Sequence, residues 1–365
     1  MTEPAEQPGF KELFTTFGKI GLLSFGGPAA QIAMLQRVLV DEKKWMDQER
    51  LIHALNFCML LPGPEAMQLA TYSGWAVKGW RGGLLAGLLF VLPGAVVMLA
   101  LSALYIAFGH VDIVAGLLFG LKAAVLAVVF EALYRMAKRT LASGFSYAVA
   151  IAAFIAIAFL KLPFPLVVLL AAVAGGLRHV VQGKSAATVL GDATPGALRE
   201  FMQQTLIWGG LWLLPLLGLF FAFGGAHVFA QEAAFFSKLA AVTFGGAYAA
   251  LSYTAQQAVE HFGWMKPGEM LTGLGLAETT PGPLILVLVF VGFVGAANLS
   301  GLPPLMGGFF GGLIALWFTF VPCFLWILAG APFVERLRHV RWLSAMMGGI
   351  TAAVVGVIAN LALWF

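Results

Sequence analysis

An all-α polytopic membrane protein is the fold this sequence predicts: two inverted-topology repeats, each with broken or re-entrant helices, joined by a helical connector. Three observations carry that expectation. The composition is that of a bilayer protein, much of the chain echoes itself, and the loop charges change side between the two copies. Of 365 residues, 61% are hydrophobic and 10% charged, with a mean hydropathy of +0.92; soluble domains carry about 25% charged residues. Uncharged runs at 83–108, 140–160, 205–226, 239–259 and 342–365 are each long enough to cross a bilayer, which takes about 20 apolar residues. The run 279–334 carries no charge and has room for two spans.

The first copy follows a short polar tail, 1–9, expected to be disordered. The tail contains Glu3 and Glu6 but neither the basic start nor the apolar core of a signal peptide. A hydrophobic segment over 10–40 is interrupted at Ser24-Phe25-Gly26-Gly27-Pro28. The charged stretch 41–50 follows, then a segment over 51–77 interrupted at Pro62-Gly63-Pro64, then spans at 82–108 and 113–135. Proline removes a backbone donor and crowds the preceding turn, while glycine adds backbone freedom, so neither break permits one continuous helix.

At a spacing of 219 residues the pattern returns. Lys19 meets Lys238, Ser24 meets Thr243, and Phe25-Gly26-Gly27 meets Phe244-Gly245-Gly246. Trp45-Met46 meets Trp264-Met265, and Pro62-Gly63-Pro64 meets Pro281-Gly282-Pro283. After an insertion the spacing becomes 229, pairing Pro93 with Pro322 and Gly120 with Gly349. Rare residues falling in one register mark an internal duplication. The expected organisation is a membrane repeat over 10–140, connector helices with a central cytoplasmic loop over 141–230, and an inverted membrane repeat over 231–365. The connector offers hydrophobic segments at 145–160, 163–177 and 206–223, with 182–203 as its loop.

Orientation follows from basic residues, which favour the cytoplasm. The clusters Lys78/Arg81, Arg135/Lys138/Arg139, Arg178/Lys184/Arg199 and Arg336/Arg338/Arg341 lie an even number of crossings apart and can all be cytoplasmic. His110-Val111-Asp112, Lys161 and the region of His227 are then outside. The basic turn at Lys78 and Arg81 corresponds to the uncharged turn 298–302 in the second copy, whereas 110–112 corresponds to the basic loop 335–341. Copies that enter from opposite faces account for this exchange. Whether the broken segments cross or re-enter stays open, although Lys11, Arg37, Lys43, Lys44 and Arg50 favour hairpins that return to the cytoplasm.

In hydrocarbon, backbone groups freed at a break must be buried in protein or line a wet cavity. Matched breaks in two repeats therefore point to a substrate site near the midplane. A helix that starts after a break presents unpaired N–H groups and the positive end of its dipole, so the expected ligand is an anion. Gly26, Gly27, Gly63, Gly245, Gly246 and Gly282 let a ligand approach the backbone, flanked by Phe25, Phe244, Pro62, Pro64 and Pro281. Ser24, Thr243, Thr279 and Thr280 add hydroxyls that suit an oxyanion, and Gln68, like Gln31, Gln256 and Gln257, is a polar group in an apolar stretch. Lys122, inside a span, is a candidate anion ligand. Glu65 and Glu278 stand at the breaks; fixed charges there would repel an anion, so protonation linked to substrate exchange is expected of them. Plainer roles exist for each. Gly/Pro kinks serve close helix packing, a carboxylate at a helix start suits the dipole, and a lysine can snorkel.

Enzyme chemistry finds no constellation. The sequence contains no phosphate-binding loop, zinc-protease motif or nucleophile elbow. Cys58 and Cys323 sit in apolar context without metal-ligand spacing. Neither metal nor cofactor is expected, and the net charge of +4 sorts into loops, which gives no reason to invoke nucleic acid.

The stretches Ser24-Phe25-Gly26-Gly27-Pro28, Pro62-Gly63-Pro64-Glu65-Ala66-Met67-Gln68-Leu69-Ala70-Thr71-Tyr72, Phe244-Gly245-Gly246-Ala247-Tyr248 and Glu278-Thr279-Thr280-Pro281-Gly282-Pro283 closely resemble the chromate ion transporter family. The resemblance covers both repeats, about three-quarters of the chain. It implies a bacterial inner-membrane, multi-pass protein of two antiparallel homologous halves that exports chromate, confers chromate resistance and draws on the proton motive force. Met67 departs from the pattern, standing where a second glutamine beside Gln68 is expected. The partners so implied are chromate, with isostructural sulfate as the alternative, and the lipid bilayer; a homodimer is compatible. A passive anion channel and an intramembrane enzyme are the competing readings.

Overall fold

The computed structural model describes residues 8–182, 196–244, 247–334 and 341–364, and all their regular structure is helical. The first copy holds α1 (Phe10–Leu23), α2 (Gly27–Gln36, continued by a π-helical turn Arg37–Glu42), α3 (Gln48–Cys58), α4 (Glu65–Phe108) and α5 (Asp112–Thr140). The connector supplies α6 (Gly144–Ala158), α7 (Phe164–Val181) and α8 (Ala197–Phe223). The second copy holds α9 (Val228–Val242), α10 (Ala247–Gln256, continued by a π-helical turn Gln257–His261), α11 (Pro267–Thr279), α12 (Val287–Leu299), α13 (Pro304–Gly330) and α14 (Arg341–Trp364). Among the described residues, six helices are long and apolar enough to cross a membrane, and the protein is an all-α polytopic membrane protein.

One expectation about the chain's course needs correction. The loop expected over 182–203 is helical from Ala197 onward, where Gly196, at φ 94°, leads into α8; residues 183–195 lie outside the described part. In the apolar runs 10–40, 51–77 and 239–259 the helices stop at the interruptions, at Leu23, Cys58 and Val242. Hydropathy cannot distinguish one crossing from two short arms of a hairpin, and here the chain folds back. Lys43, just past the π turn, forms a 2.8 Å ion pair with Glu12 in the first turn of α1. The rings of Phe17 and Trp45 lie 6.3 Å apart; their counterparts Phe236 and Trp264 lie 6.0 Å apart. The second break behaves likewise. The Ser73 hydroxyl reaches Met46 Sδ at 3.7 Å, and Asn298 Nδ2 donates to the Trp264 carbonyl at 3.2 Å. Each copy thus contains two helical hairpins with the glycine- and proline-rich breaks at their tips.

Local chemistry sets the ends. Asp47 starts α3 by accepting from the Arg50 amide at 2.7 Å, satisfying an orphan donor, and Ser143 and Ser146 form a capping box at α6. α4 reverses at Lys78 and Gly79, the latter at φ 62°, ψ −158°. Its arms, 65–77 and 80–108, then cross where Gly74 faces Gly82 and a side chain on either would overlap the other's carbonyl. Gly82→Val should cost at least the roughly 1–3 kcal/mol of an overpacked core, seen as a lower melting temperature in detergent. Gly18→Ala, whose Cβ would meet nothing within 4 Å, should leave that temperature unchanged.

Helix α12 forms the centre, buried from Val287 to Ala297. It packs on α13 and α4, α13 also packs on α8 and α9, and α14 packs on α5, α6 and α7. Ile113, Leu117 and Phe119 of α5 and Leu214 and Phe221 of α8 point outward, a surface suited to hydrocarbon.

Candidate functional site at the hairpin tips

The tips of the two copies meet. The Gly63 amide donates to the Thr243 carbonyl at 2.9 Å, and the Gly282 amide donates to the Ser24 carbonyl at 2.8 Å. Residue 282 corresponds to 63 and residue 24 to 243, so the same bond is made twice in opposite senses, as a two-fold relation generates. Both glycines have positive φ, 117° and 92°. A Cβ on Gly63 would stand 2.7 Å from Cys323 Sγ and 3.0 Å from Gln68 Nε2. Ser24 and Thr243 turn their hydroxyls back to the carbonyls of Ile20 and Leu239, each at 2.6 Å.

Two glutamines hold the tips. Gln31 Nε2 donates to the Gly282 carbonyl at 2.7 Å and the Ser24 carbonyl at 3.4 Å, and Gln68 Nε2 donates to the Pro62 carbonyl at 2.7 Å. The side-chain oxygen of each is buried without a partner among the described residues, so both retain unused acceptor capacity there.

The donors expected to await an anion are therefore partly engaged. The Gly63 and Gly282 amides are satisfied by the opposite copy, since a buried unpaired N–H is costly. Thr279 and Thr280 donate to the carbonyls of Leu276 and Ala277, both at 2.9 Å. Pro64 makes no side-chain cap for α4, which leaves the first-turn amides of Glu65, Ala66 and Met67 without intrahelical acceptors. Glu65 is the first residue of that helix and partly exposed. Glu278 lies in the last turn of α11 and accepts from the Tyr248 hydroxyl at 2.8 Å. Arg135 of α5 pairs with Glu131 at 2.7 Å.

Other expected residues stand apart. Lys122 Nζ lies 3.3 Å from the position of a Cβ on Gly268, at the start of α11, about 18 Å along that helix from its break. The register of α5 against α11 puts it there. Phe25 is 46% exposed and turns away from the centre, Phe244 is half-buried, and Gly26 and Gly27 begin α2 on an open side. Gly245 and Gly246 lie outside the described residues.

One group escaped the reading of the sequence. Glu232 of α9 is fully buried, and neither carboxylate oxygen has a hydrogen-bond partner among the described residues. Space for it comes from Gly295 of α12 and Gly311 of α13, whose Cβ positions each lie 3.0 Å from one of its oxygens. Its counterpart in the first copy is Leu13, also fully buried. That exchange of leucine for glutamate within the duplication was the available signal.

The family described as "Chromate transporter" matches residues 11–176 and 230–365, spans that hold all four breaks. The chain belongs to the chromate transporter family. Within it, the chromate transport protein of Pseudomonas aeruginosa is 35% identical over 98% of this chain and 81% of its own length. That of Cupriavidus metallidurans is 30% identical over 96% and 81%, and an uncharacterized transporter of Methanocaldococcus jannaschii is 24% identical over 100% and 86%. No solved structure matches. Members of the chromate transporter family are named for transport, not for catalysis.

Proposed function

We propose that this protein is a secondary active transporter that exports chromate across the bacterial inner membrane, coupled to the proton gradient. The reciprocal bonds at the hairpin tips carry this reading: two copies of one broken motif share one buried centre and supply it with backbone donors. In this reading the carbonyls of Thr243 and Ser24 occupy the Gly63 and Gly282 amides while substrate is absent and yield them to chromate oxygens. The first-turn amides of α4 and the positive end of its dipole add to the site. The repeats over 10–140 and 231–365 enter from opposite faces, the hairpins of the first beginning and ending on the cytoplasmic side with Lys11, Lys43, Lys44, Lys78 and Arg81. The region 141–230 joins them.

Glu65 and Glu278 flank the tips, and a dianion beside two carboxylates is repelled until protons neutralise them; this is the coupling we assign to the pair. Neutral donors distinguish tetrahedral dianions poorly, so sulfate is expected to compete.

Uptake of labelled chromate into inverted vesicles tests the reading. Wild type should accumulate chromate only with a proton gradient, and Glu65→Gln should lose at least tenfold of that dependence, the usual scale for a group acting in proton transfer (about 10²–10⁴). Equal uptake with and without the gradient in both proteins would eliminate coupled export.

A further inference from the structure

A polar cavity of about 530 Å³ lies between α3 and α14 and reaches the start of the first Pro-Gly-Pro break. Its wall includes His53, Asn56, Met59 and Leu60 from the α3 side and Ser344 and Thr351 from α14. Asn56 and Ser344 make no side-chain hydrogen bond among the described residues, and a Cβ on Gly348, also in the wall, would meet nothing within 4 Å. Among the described residues no carboxylate is in the wall itself, though Glu49 stands 3.2 Å from His53 Nε2. The Asn56 amide and the Ser344 hydroxyl offer donors to a small oxyanion, whereas the Thr351 hydroxyl already donates to the Met347 carbonyl at 2.8 Å and the His53 ring faces that Glu49 carboxylate.

The same pair of elements recurs in the second copy as α11 and α5, and there it is closed. Asn56 corresponds to Gly275, whose Cβ position lies 2.5 Å from Leu121 Cγ and 2.9 Å from Val125 Cγ2. Thr351 corresponds to Lys122, which lies against Gly268. On the open side α14 is instead held by the connector: Gly175 abuts Ala345, Gly349 abuts the Ala171 carbonyl and Gly356 abuts the Ala150 carbonyl. One interface is thus open in one copy and shut in the other, the asymmetry by which inverted repeats present a site to one face at a time.

We propose that the α3/α14 cavity is the entry chamber for a tetrahedral oxyanion, and that the α5/α11 seam is its counterpart, opening when the chamber shuts. The chamber faces the side of the basic loops, and the opened seam would expose Thr272, Glu278 and Lys122 to the opposite face. This inference rests on the transport reading above and adds the route by which substrate reaches and leaves the tips.

Cysteine accessibility in oriented vesicles tests it, because the native Cys58 and Cys323 are buried. Asn56→Cys and Thr351→Cys should react with a membrane-impermeant thiol reagent from the basic face. Molybdate or sulfate should slow the reaction at least about threefold, the protection of a site two-thirds occupied, whereas chloride should not. These anions replace chromate in the assay because chromate oxidises thiols. Thr272→Cys and Val125→Cys should be inert at rest and react from the opposite face during transport. Reaction without oxyanion protection, in vesicles that still carry chromate, would overturn the chamber and leave transport standing. Protection in vesicles without chromate flux would keep the chamber and sink the transport reading. If Thr272→Cys and Val125→Cys stay inert throughout active transport, the counterpart seam is overturned.

Discussion

Gly63→Ala should reduce chromate transport to below a tenth of wild type. The backbone there lies at φ 117°, where an L side chain costs about 1–2 kcal/mol. The new methyl would also press on Cys323 Sγ at 2.7 Å and Gln68 Nε2 at 3.0 Å. Both neighbours are buried, so neither moves freely, and overpacking adds about 1–3 kcal/mol. Relief would come from retreat of the tip, which breaks the Gly63–Thr243 bond and frees Gln68 from the Pro62 carbonyl. Gly282→Ala should be milder, since its Cβ would meet the flexible end of Leu286 at 3.0 Å. Gly27→Ala should be milder still, with φ 76° and open space. Transport assays on the three, normalised to protein in the membrane, should rank them in that order. Full activity of Gly63→Ala would remove the tips from the transport site.

Glu232→Leu should raise the melting temperature while abolishing transport. A buried carboxyl with no partner costs about 1–3 kcal/mol, and leucine at the equivalent position of the first copy shows what packing alone selects there. The glycines 295 and 311 that make room for the carboxyl accommodate a leucine of similar volume. Glu232→Gln keeps a polar group in the same dry site and should bring no such gain. We infer that an acid retained at a cost to stability inside a transporter is kept for what it binds. Normal transport by Glu232→Leu would show that it has no such role.

The breaks were legible because Pro62-Gly63-Pro64 and Pro281-Gly282-Pro283 forbid a helix whatever surrounds them, and the duplication was legible because Trp45 and Trp264 are rare residues in register. Whether the broken segments re-enter was half legible. Lys43 hinted at a return, but only its pairing with Glu12 across the hairpin fixes where the chain goes. Engagement of the Gly63 amide by Thr243 left no mark in the sequence, because the acceptor is a backbone carbonyl that every residue carries. Lys122 and Glu232 stand in opposite relations to what the sequence displays. The lysine was conspicuous within its span yet α5 carries it away from the tips, whereas the glutamate sits near the start of an apolar segment, where a charge ordinarily marks an interface.

The tips also bear on how such a protein can be assembled. Each half leaves one tip amide that a carbonyl of its counterpart completes, so neither half is a finished molecule. A chain severed between α7 and α8 would have to reunite its fragments before either could bury its own centre, and two separately encoded halves would face the same obligation to pair.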